Sequence, residues 1–416
     1  MAAFEALKGW TPRARHTVMA SYLAWTMDAY DFFLLTFVFK DIAAQFGTSI
    51  TKVTVAVMLT LACRPIGAFL FGRLADRFGR RPILMLDVAC YSLLSFLIAF
   101  TPNILAFYAA CAAFGVAMGG VWGIAASLSM ETIKPSARGF VSGLLQSGYP
   151  SGFLISSLVF GLLYTSIGWR GMFLVGVIPA ALLILYIYLK VPESPFHDPA
   201  RARTHGGMLT VLRNHGKIAL YAIILMTGYN FFSHGTQDLY ATFLRVQHNY
   251  NPATVKNVLV IANIGAIIGG LFFGSFSQSF GRRRTVILVA LLALPVIYFW
   301  ASATTVMMLA ASAFLMQVCV QGAWGVVPVH LNELSPPNVR GTFAGTVYQL
   351  GNLIASVNAV FQAELAESGR QLLGLQHYSL ALAVVACFAA LLIATVMFLG
   401  PEAKDADMGR AATASE

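Results

Sequence analysis

Charge is what this sequence has least of. Only 11% of its 416 residues are Asp, Glu, Lys or Arg, against about 25% in an ordinary soluble domain, while 58% are hydrophobic. Mean hydropathy is +0.73. This shortage excludes a large soluble core as the reason for the apolar content and puts the chain in the membrane class, with a lipid bilayer as its surroundings. Cysteine is scarce too: Cys63, Cys90, Cys111, Cys319 and Cys387 all fall in apolar runs, with no CxxC spacing and no Cys/His cluster. They read as small buried hydrophobes, and no metal site is expected. A nucleotide loop and a nucleophilic triad are also missing, so no cofactor and no enzymatic activity are expected. The formal net charge of +10 comes from basic residues scattered through short loops instead of a stripe, which argues against a nucleic-acid partner.

Long apolar runs, by contrast, are abundant. Hydropathy predicts spans at about 17–40, 53–73, 82–101, 103–130, 138–163 and 168–190, then at about 218–244, 254–276, 285–301, 304–333, 339–362 and 376–399. Each is close to the roughly 20 residues that cross a hydrocarbon layer. Lys8, Arg13 and Arg15 precede the first run as in a signal peptide, but that run is long, holds Asp28 and Asp31 and lacks a small-residue cleavage pattern, so it is predicted to be a retained span.

These spans divide the chain into 1–190, a polar linker at 191–217 rich in proline, a second set of spans at 218–400, and a short polar tail at 401–416. Of the 27 Lys and Arg residues, twenty fall in loops of one side together with both termini, six fall in loops of the other, and Arg64 alone lies inside a span. The positive-inside rule then places both termini in the cytoplasm.

An internal repeat joins the two sets. Gly72, Gly79, Arg80 and Arg81 recur as Gly274, Gly281, Arg282 and Arg283; Trp122 and Gly123 recur as Trp324 and Gly325; Glu131, Pro135, Arg138 and Gly139 recur as Glu333, Pro337, Arg340 and Gly341, all at an offset of 202 residues. Copies six spans apart enter the membrane in the same direction, the parallel-repeat arrangement of transporters whose halves rock about a midplane site.

Inside the seventh run, Asn230, His234, Asp238 and Thr242 recur every four residues and form one polar seam if the run is helical. In lipid such a seam must face protein or water, and an intramembrane carboxylate beside an imidazole marks a functional site by default. At a rise of 1.5 Å per residue, Asp28, Arg64 and Asn230 all lie roughly 16 to 18 Å into their spans, near the midplane. Asp28 and Asp31 share a helix face. Asp87, nearer the loop end of its span, is expected to pair with a loop arginine.

The loop Gly72-Arg-Leu-Ala-Asp-Arg-Phe-Gly-Arg-Arg81 resembles the cytoplasmic signature of the major facilitator superfamily. The second copy, Gly274-Ser-Phe-Ser-Gln-Ser-Phe-Gly-Arg-Arg283, departs from it by carrying Gln278 where the first has Asp76, so its electrostatic latch is expected to be weaker. Within that superfamily, the stretch from Asn230 to Thr242 resembles the seventh-span signature of the Jen-type lactate and pyruvate permeases, grouped with the sialate–proton symporters. Trp25-Thr-Met-Asp-Ala-Tyr-Asp-Phe-Phe33, Arg64 and Tyr348-Gln-Leu-Gly-Asn352 extend the likeness over residues 15–400. The resemblance implies an all-α polytopic membrane protein of twelve transmembrane helices in two six-helix halves, which imports a small monocarboxylate with a proton. Its place would be the plasma membrane, or the inner membrane of a bacterium, and one chain has enough spans to work as a monomer. Sialate-like sugar acids and a facilitator or exchanger without proton coupling are the alternatives.

For the chemistry, the planar guanidinium of Arg64 can take a carboxylate in bidentate fashion, or serve as counter-ion to Asp28 or Asp31. Asn230, Gln237, Gln349 and Asn352 offer donors and acceptors for the rest of a hydroxy or oxo acid. His234 can relay a proton with Asp238 holding its tautomer, and Asp28 or Asp31 can instead be the titrating acid. Asp76, Arg80, Arg81, Glu131, Arg138, Glu333 and Arg340 are expected to form a gate at the loop end.

Overall fold

The computed structural model describes residues 10–48, 50–195, 208–336, 340–402 and 404. Lys8, Arg201, Arg203, Pro337, Arg410, most of the linker, most of the tail and the side chain of Arg340 lie outside the described residues.

Helix α1 (Pro12–Phe37) starts at Thr11, whose hydroxyl accepts from the Ala14 amide at 3.2 Å, with Pro12 at the first helical position where its missing N–H costs nothing. The short α2 (Phe39–Gln45) leads to α3 (Ile50–Phe78) and α4 (Arg80–Ile98), then α5 (Ile104–Met118) and α6 (Val121–Thr132), α7 (Arg138–Gln146) and α8 (Gly148–Val175), and α9 (Val177–Lys190). Beyond the linker come α10 (Met208–Gln237), α11 (Pro252–Phe280), α12 (Arg282–Ser302), α13 (Val306–Trp324) and α14 (Val327–Leu334), α15 (Arg340–Ala355) and α16 (Asn358–Glu367), and α17 (His377–Leu399). Among the described residues the only strands are Gln371–Leu372 and Leu375–Gln376, a two-strand hairpin. The protein is all-α and polytopic.

Eight of the described helical stretches are long and apolar enough to cross a membrane. Two that are long but not apolar enough, α1 at 26 residues and α10 at 30, carry Asp28 with Asp31 and Asn230 with His234. Their polarity lowers hydropathy where an interior site needs it. Outward faces are different: Ile178, Leu182, Leu185 and Leu189 of α9 are 53–65% exposed and recur every three or four residues. A stripe of that kind is stable only against an apolar solvent.

Three expectations need correction. The helix with the polar seam begins at Met208, ten residues before the run at 218, because no proline interrupts Met208–Lys217. It also ends sooner, at Gln237, so Asp238 lies in a turn and Thr242 in the separate helical turn Tyr240–Thr242. Finally, the runs at 103–130 and 304–333 are each broken mid-way, at Gly119-Gly120 and at Gly325-Val326. These breaks sit at close crossings: a Cβ on Gly119 would lie 2.0 Å from the Arg64 carbonyl oxygen, and one on Gly325 2.3 Å from that of Gly270.

Small residues also bring the two halves of the chain together. A Cβ on Gly143 of α7 would fall 2.3 Å from the Gly270 carbonyl oxygen of α11, so these helices cross backbone to backbone.

Candidate functional site

Each repeated loop turns through a glycine with positive φ, 107° at Gly79 and 99° at Gly281, conformations that a side chain would strain. Directly after each glycine an arginine turns inward. Arg80 meets Asp76 at 3.3 Å and Glu131 at 3.0 Å; Arg282 meets Glu333 through two nitrogens, both at 3.1 Å, and Gln278 at 2.9 Å. The residue four before the arginine then reaches across to the other half. Asp76 accepts from the Thr342 amide at 3.1 Å and hydroxyl at 2.5 Å, at the start of α15. Gln278 accepts from the Gly139 amide at 3.2 Å, at the start of α7.

Arg81 does not join that network. Its guanidinium donates to the Tyr188 carbonyl at 2.5 Å, as Arg283 donates to those of Met397, at 2.8 Å, and Phe398. Arg138 donates to the Met130 carbonyl at 3.3 Å. Sequence reasoning missed two carboxylates here. Glu193 accepts from the Arg80 amide at 2.8 Å and the Arg81 amide at 3.2 Å, and Glu402 from those of Arg282 and Arg283 at 3.3 and 3.1 Å. Both complement the positive end of the following helix. Their signal was the pair Pro192-Glu193 and Pro401-Glu402, each just after a terminal helix of its half.

Helices from both halves also line a space of about 20 Å³, room for roughly one water. The first half contributes Trp25, Gln146 and Tyr149; the second contributes Asn230, Ser233 and His234 of α10, Gln321 and Trp324 of α13, and Tyr348 of α15. Tyr348 centres an aromatic wall, its ring 4.7 Å from Trp122, 5.5 Å from Trp324 and 6.4 Å from Trp25. Trp25, Gln146, Gln321 and Trp324 were not singled out as site residues, since an isolated tryptophan or glutamine in an apolar run reads equally as packing.

His234 is held from two sides. Nδ1 lies 3.1 Å from Asp238 Oδ1 and Nε2 lies 3.1 Å from Asn352 Oδ1, while Asn352 donates to Gln349 Oε1 at 3.2 Å. Both ring nitrogens thus face acceptor oxygens, an arrangement that an imidazolium satisfies fully and a neutral ring only once. Asn230 donates to the Met226 carbonyl of its own helix at 2.8 Å. Gln237 is drawn away: it donates to Gln317 at 2.9 Å, and Gln317 donates to Thr236 at 3.2 Å, a polar tie between α10 and α13.

Arg64 does not line the cavity. Its Nη2 sits 3.5 Å from Asp28 and 3.4 Å from the Met118 sulfur, and its guanidinium carbon lies 5.3 Å from the Phe32 ring centroid. Both Arg64 and Asp28 are buried. Asp31 accepts from Ser95 at 3.3 Å. Tyr149 lines the cavity and stacks on Trp25, with ring centroids 5.7 Å apart.

Several buried polar atoms around this region have no hydrogen-bond partner among the described residues: the donors Trp25 Nε1, Arg64 Nε and Gln349 Nε2, and the acceptor Gln321 Oε1. Asp87 is fully buried with both oxygens unpartnered, so it does not pair with a loop arginine as expected. The reason is geometric: the guanidinium groups of Arg80 and Arg81 are turned to Asp76, Glu131 and the Tyr188 carbonyl, and Asp87 lies against the α5–α6 break, where a Cβ on Gly120 would come within 2.4 Å of it.

Among known proteins, a family profile described as Major Facilitator Superfamily matches residues 19–357 and 223–412. The chain is 27% identical over 372 residues to a carboxylic acid transporter protein homolog of Saccharomyces cerevisiae, covering 83% of this chain and 60% of that protein's length. It is 25% identical to the sialic acid transporter NanX of Escherichia coli, over 93% of this chain and 94% of NanX, and 26% identical to a cis,cis-muconate transport protein of Acinetobacter baylyi, over 84% and 87%. Among solved structures, the proton:xylose symporter XylE aligns with a TM-score of 0.72 at 18% identity, covering 96% of this chain and 97% of XylE; at that identity the likeness concerns the fold.

Proposed function

This chain belongs to the major facilitator superfamily, a transport family and not an enzyme family, and from that premise we propose that it is a proton-coupled symporter importing a small monocarboxylate such as L-lactate or pyruvate. In this reading twelve spans form two six-helix halves in parallel repeat, residues 1–190 and 218–400, joined by the 191–217 linker, with linker, tail and both termini on the cytoplasmic side of a plasma or inner membrane. The chain works as a monomer. Names of relatives support an organic-acid solute, since a carboxylic acid, a sialic acid and a muconate transporter are all similar over most of this chain.

The observation that carries the reading is a set of three unpartnered buried donors. Trp25 Nε1, Arg64 Nε and Gln349 Nε2 have no acceptor among the described residues, and a buried donor left unmade costs about 1–3 kcal/mol. A carboxylate supplies the missing acceptors. Arg64 takes one oxygen of the acid once the substrate competes with Asp28; Gln349, Asn352 and Asn230 hold the remainder, and Trp25 with Tyr348 forms the wall. Gln237 acts in this scheme through the α10–α13 tie.

Proton coupling follows from the same neighbourhood. His234, clamped by Asp238 and Asn352, carries charge toward the substrate, and Asp28 with Asp31 balances Arg64 when the acid leaves. A space of about 20 Å³ is too small for an organic acid, so the side chains around it must part for the substrate to bind. The Asp76–Thr342 and Gln278–Gly139 bonds latch the loop end, with Arg80, Glu131, Arg138 and Glu333 bracing it, and their release opens the site to the cytoplasm.

Uptake by purified protein in liposomes, with imposed pH gradients and labelled lactate, pyruvate, sialate and muconate, tests the reading. Acid outside should accelerate lactate or pyruvate uptake and acid inside should not. Uptake indifferent to the gradient removes proton coupling; uptake of sialate or muconate alone moves the substrate to the larger acids.

A further inference from the structure

The first half of the chain contains an acidic interior that the second half does without. Asp28, Asp31 and Arg64 have Asn230, Ser233 and Ala266 at the 202-residue offset, while Asp87, Tyr91 and Ser95 of α4 have Val289, Ala293 and Ile297. All three of those aliphatic residues are buried in α12. The same helix position therefore packs well with no polar group, so the stripe Asp87, Tyr91, Ser95 is not a requirement of the fold.

Spacing of four residues puts these three on one face of α4. That face is turned to α1: Ser95 donates to Asp31, Tyr91 lies within electrostatic reach of Asp31, Asp28 and Asp87, and Asp87 within reach of Asp28. Both Asp87 oxygens, the Tyr91 hydroxyl, Asp28 Oδ1 and Arg64 Nε have no hydrogen-bond partner among the described residues, and all four residues are at most 3% exposed. Three buried carboxyls thus accompany one guanidinium, which is paired to Asp28. The other helices packed on α4 bring no relief at that depth: α3 has, besides Arg64, only Lys52 near its start and Arg73, Asp76 and Arg77 near its end, Asp76 meeting Arg80; α5 contains no charged residue, α9 has only Lys190 at its end, α6 has only Glu131, bound to Arg80, and α8 has only Arg170, which donates to the Ala99 and Thr101 carbonyls.

We propose that Asp87 is a proton-carrying residue of the transport cycle, taking up a proton that passes between it and the Asp28–Asp31 pair beside Tyr91, with the substrate held on the opposite side of Arg64. The proposal rests on the symport reading above. A proton moves from one carboxyl oxygen to another, so no co-reactant is consumed. Neutralising one carboxyl leaves a single negative charge more than Arg64 balances, and the arrival of an anionic acid at Arg64 frees Asp28 to take the next proton. Tyr91 supplies a hydroxyl able to donate and accept on the path.

Two measurements on the full-length protein in liposomes test it. First, pH-difference infrared spectra of Asp87→Asn and wild type are compared; the wild type should show the carbonyl stretch of a buried protonated carboxyl, the Asn variant should lose it, and Asp87→Glu should shift it. Second, with labelled lactate or pyruvate as probe, Asp87→Asn should keep exchange within about twofold but lose accumulation, which for one proton per acid reaches about tenfold per unit of pH gradient. Asp87→Glu should regain part of that accumulation, which an Asn variant that merely misfolds would not explain. Unchanged accumulation in Asp87→Asn, or an unchanged infrared difference, overturns the role of Asp87. The infrared arm needs no substrate, so a protein that transports neither acid while Asp87 still titrates counts against the monocarboxylate reading and not against Asp87.

Discussion

The two copies of the repeated loop have nearly the same geometry and different charge. In each, an arginine after a positive-φ glycine is clamped by a glutamate, and the residue four positions earlier caps a helix of the opposite half. In the first copy that residue is Asp76; in the second it is Gln278. A carboxylate at a helix N-terminus gains from the helix dipole and makes charge-assisted hydrogen bonds, worth about 0.3–1 kcal/mol at an exposed end and up to about 2 kcal/mol where partly buried. An amide makes the hydrogen bond without the charge. The same division runs through the interior, where Asp28, Asp31 and Asp87 face Asn230, Ser233 and Val289 at equivalent positions. At these equivalent positions one scaffold thus carries carboxyls in the first half and neutral side chains in the second, whose own ionisable pair beside the cavity is His234 with Asp238.

Breaking the charged half should have the largest effect. Arg64→Ala leaves Asp28 buried and uncompensated, a loss of about 3–5 kcal/mol for a buried pair, and is expected to abolish binding of the acid. We predict that Arg64→Ala combined with Asp28→Asn recovers thermal stability but not binding; calorimetry showing normal binding in either variant would take Arg64 out of the site. The second half should respond differently. His234→Ala is predicted to keep exchange of labelled acid and lose uphill uptake, the outcome expected if its ring, held between Asp238 and Asn352, carries the proton and does not hold the acid. Loss of exchange as well would assign it to recognition.

Smaller effects follow at the loops. Asp76→Asn makes the first copy like the second and should weaken the latch by about 0.3–2 kcal/mol, raising the fraction open at that end by up to about thirtyfold. Gln278→Asp should shift it the opposite way, and spin-label distances between the halves would read both; equal responses from the two loops would dissolve the contrast. The smallest change is expected from Gln237→Ala, whose partner is Gln317 and not the cavity: uptake should fall less than about threefold. A tenfold loss would return Gln237 to the substrate.

Much of this was legible in the residues. The 202-residue offset exposed the paired loops because Gly-Arg-Arg is a short rigid unit whose turn and charge must both be kept. Asn230, His234 and Asp238 announced themselves because i, i+4 spacing survives any helix, even one that ends at Gln237 as α10 does. Glu193 and Glu402 stayed hidden because a helix N-terminus is capped through space, by a residue 113 or 120 positions away. Asp87 was misread for a related reason: depth along a helix locates a residue, but not the side it faces.

By itself, then, the sequence determined that the chain lives in a membrane, which stretches are helical and which residues carry charge, since hydropathy and helical period are local properties of consecutive residues. Only the tertiary structure decided which of those charges meet. Arg64 finds Asp28, Gln237 finds Gln317 and Asp87 finds no hydrogen-bond partner among the described residues, because partners in a helical bundle are set by how faces rotate against one another at backbone crossings such as Gly143 on Gly270. No single helix records that rotation.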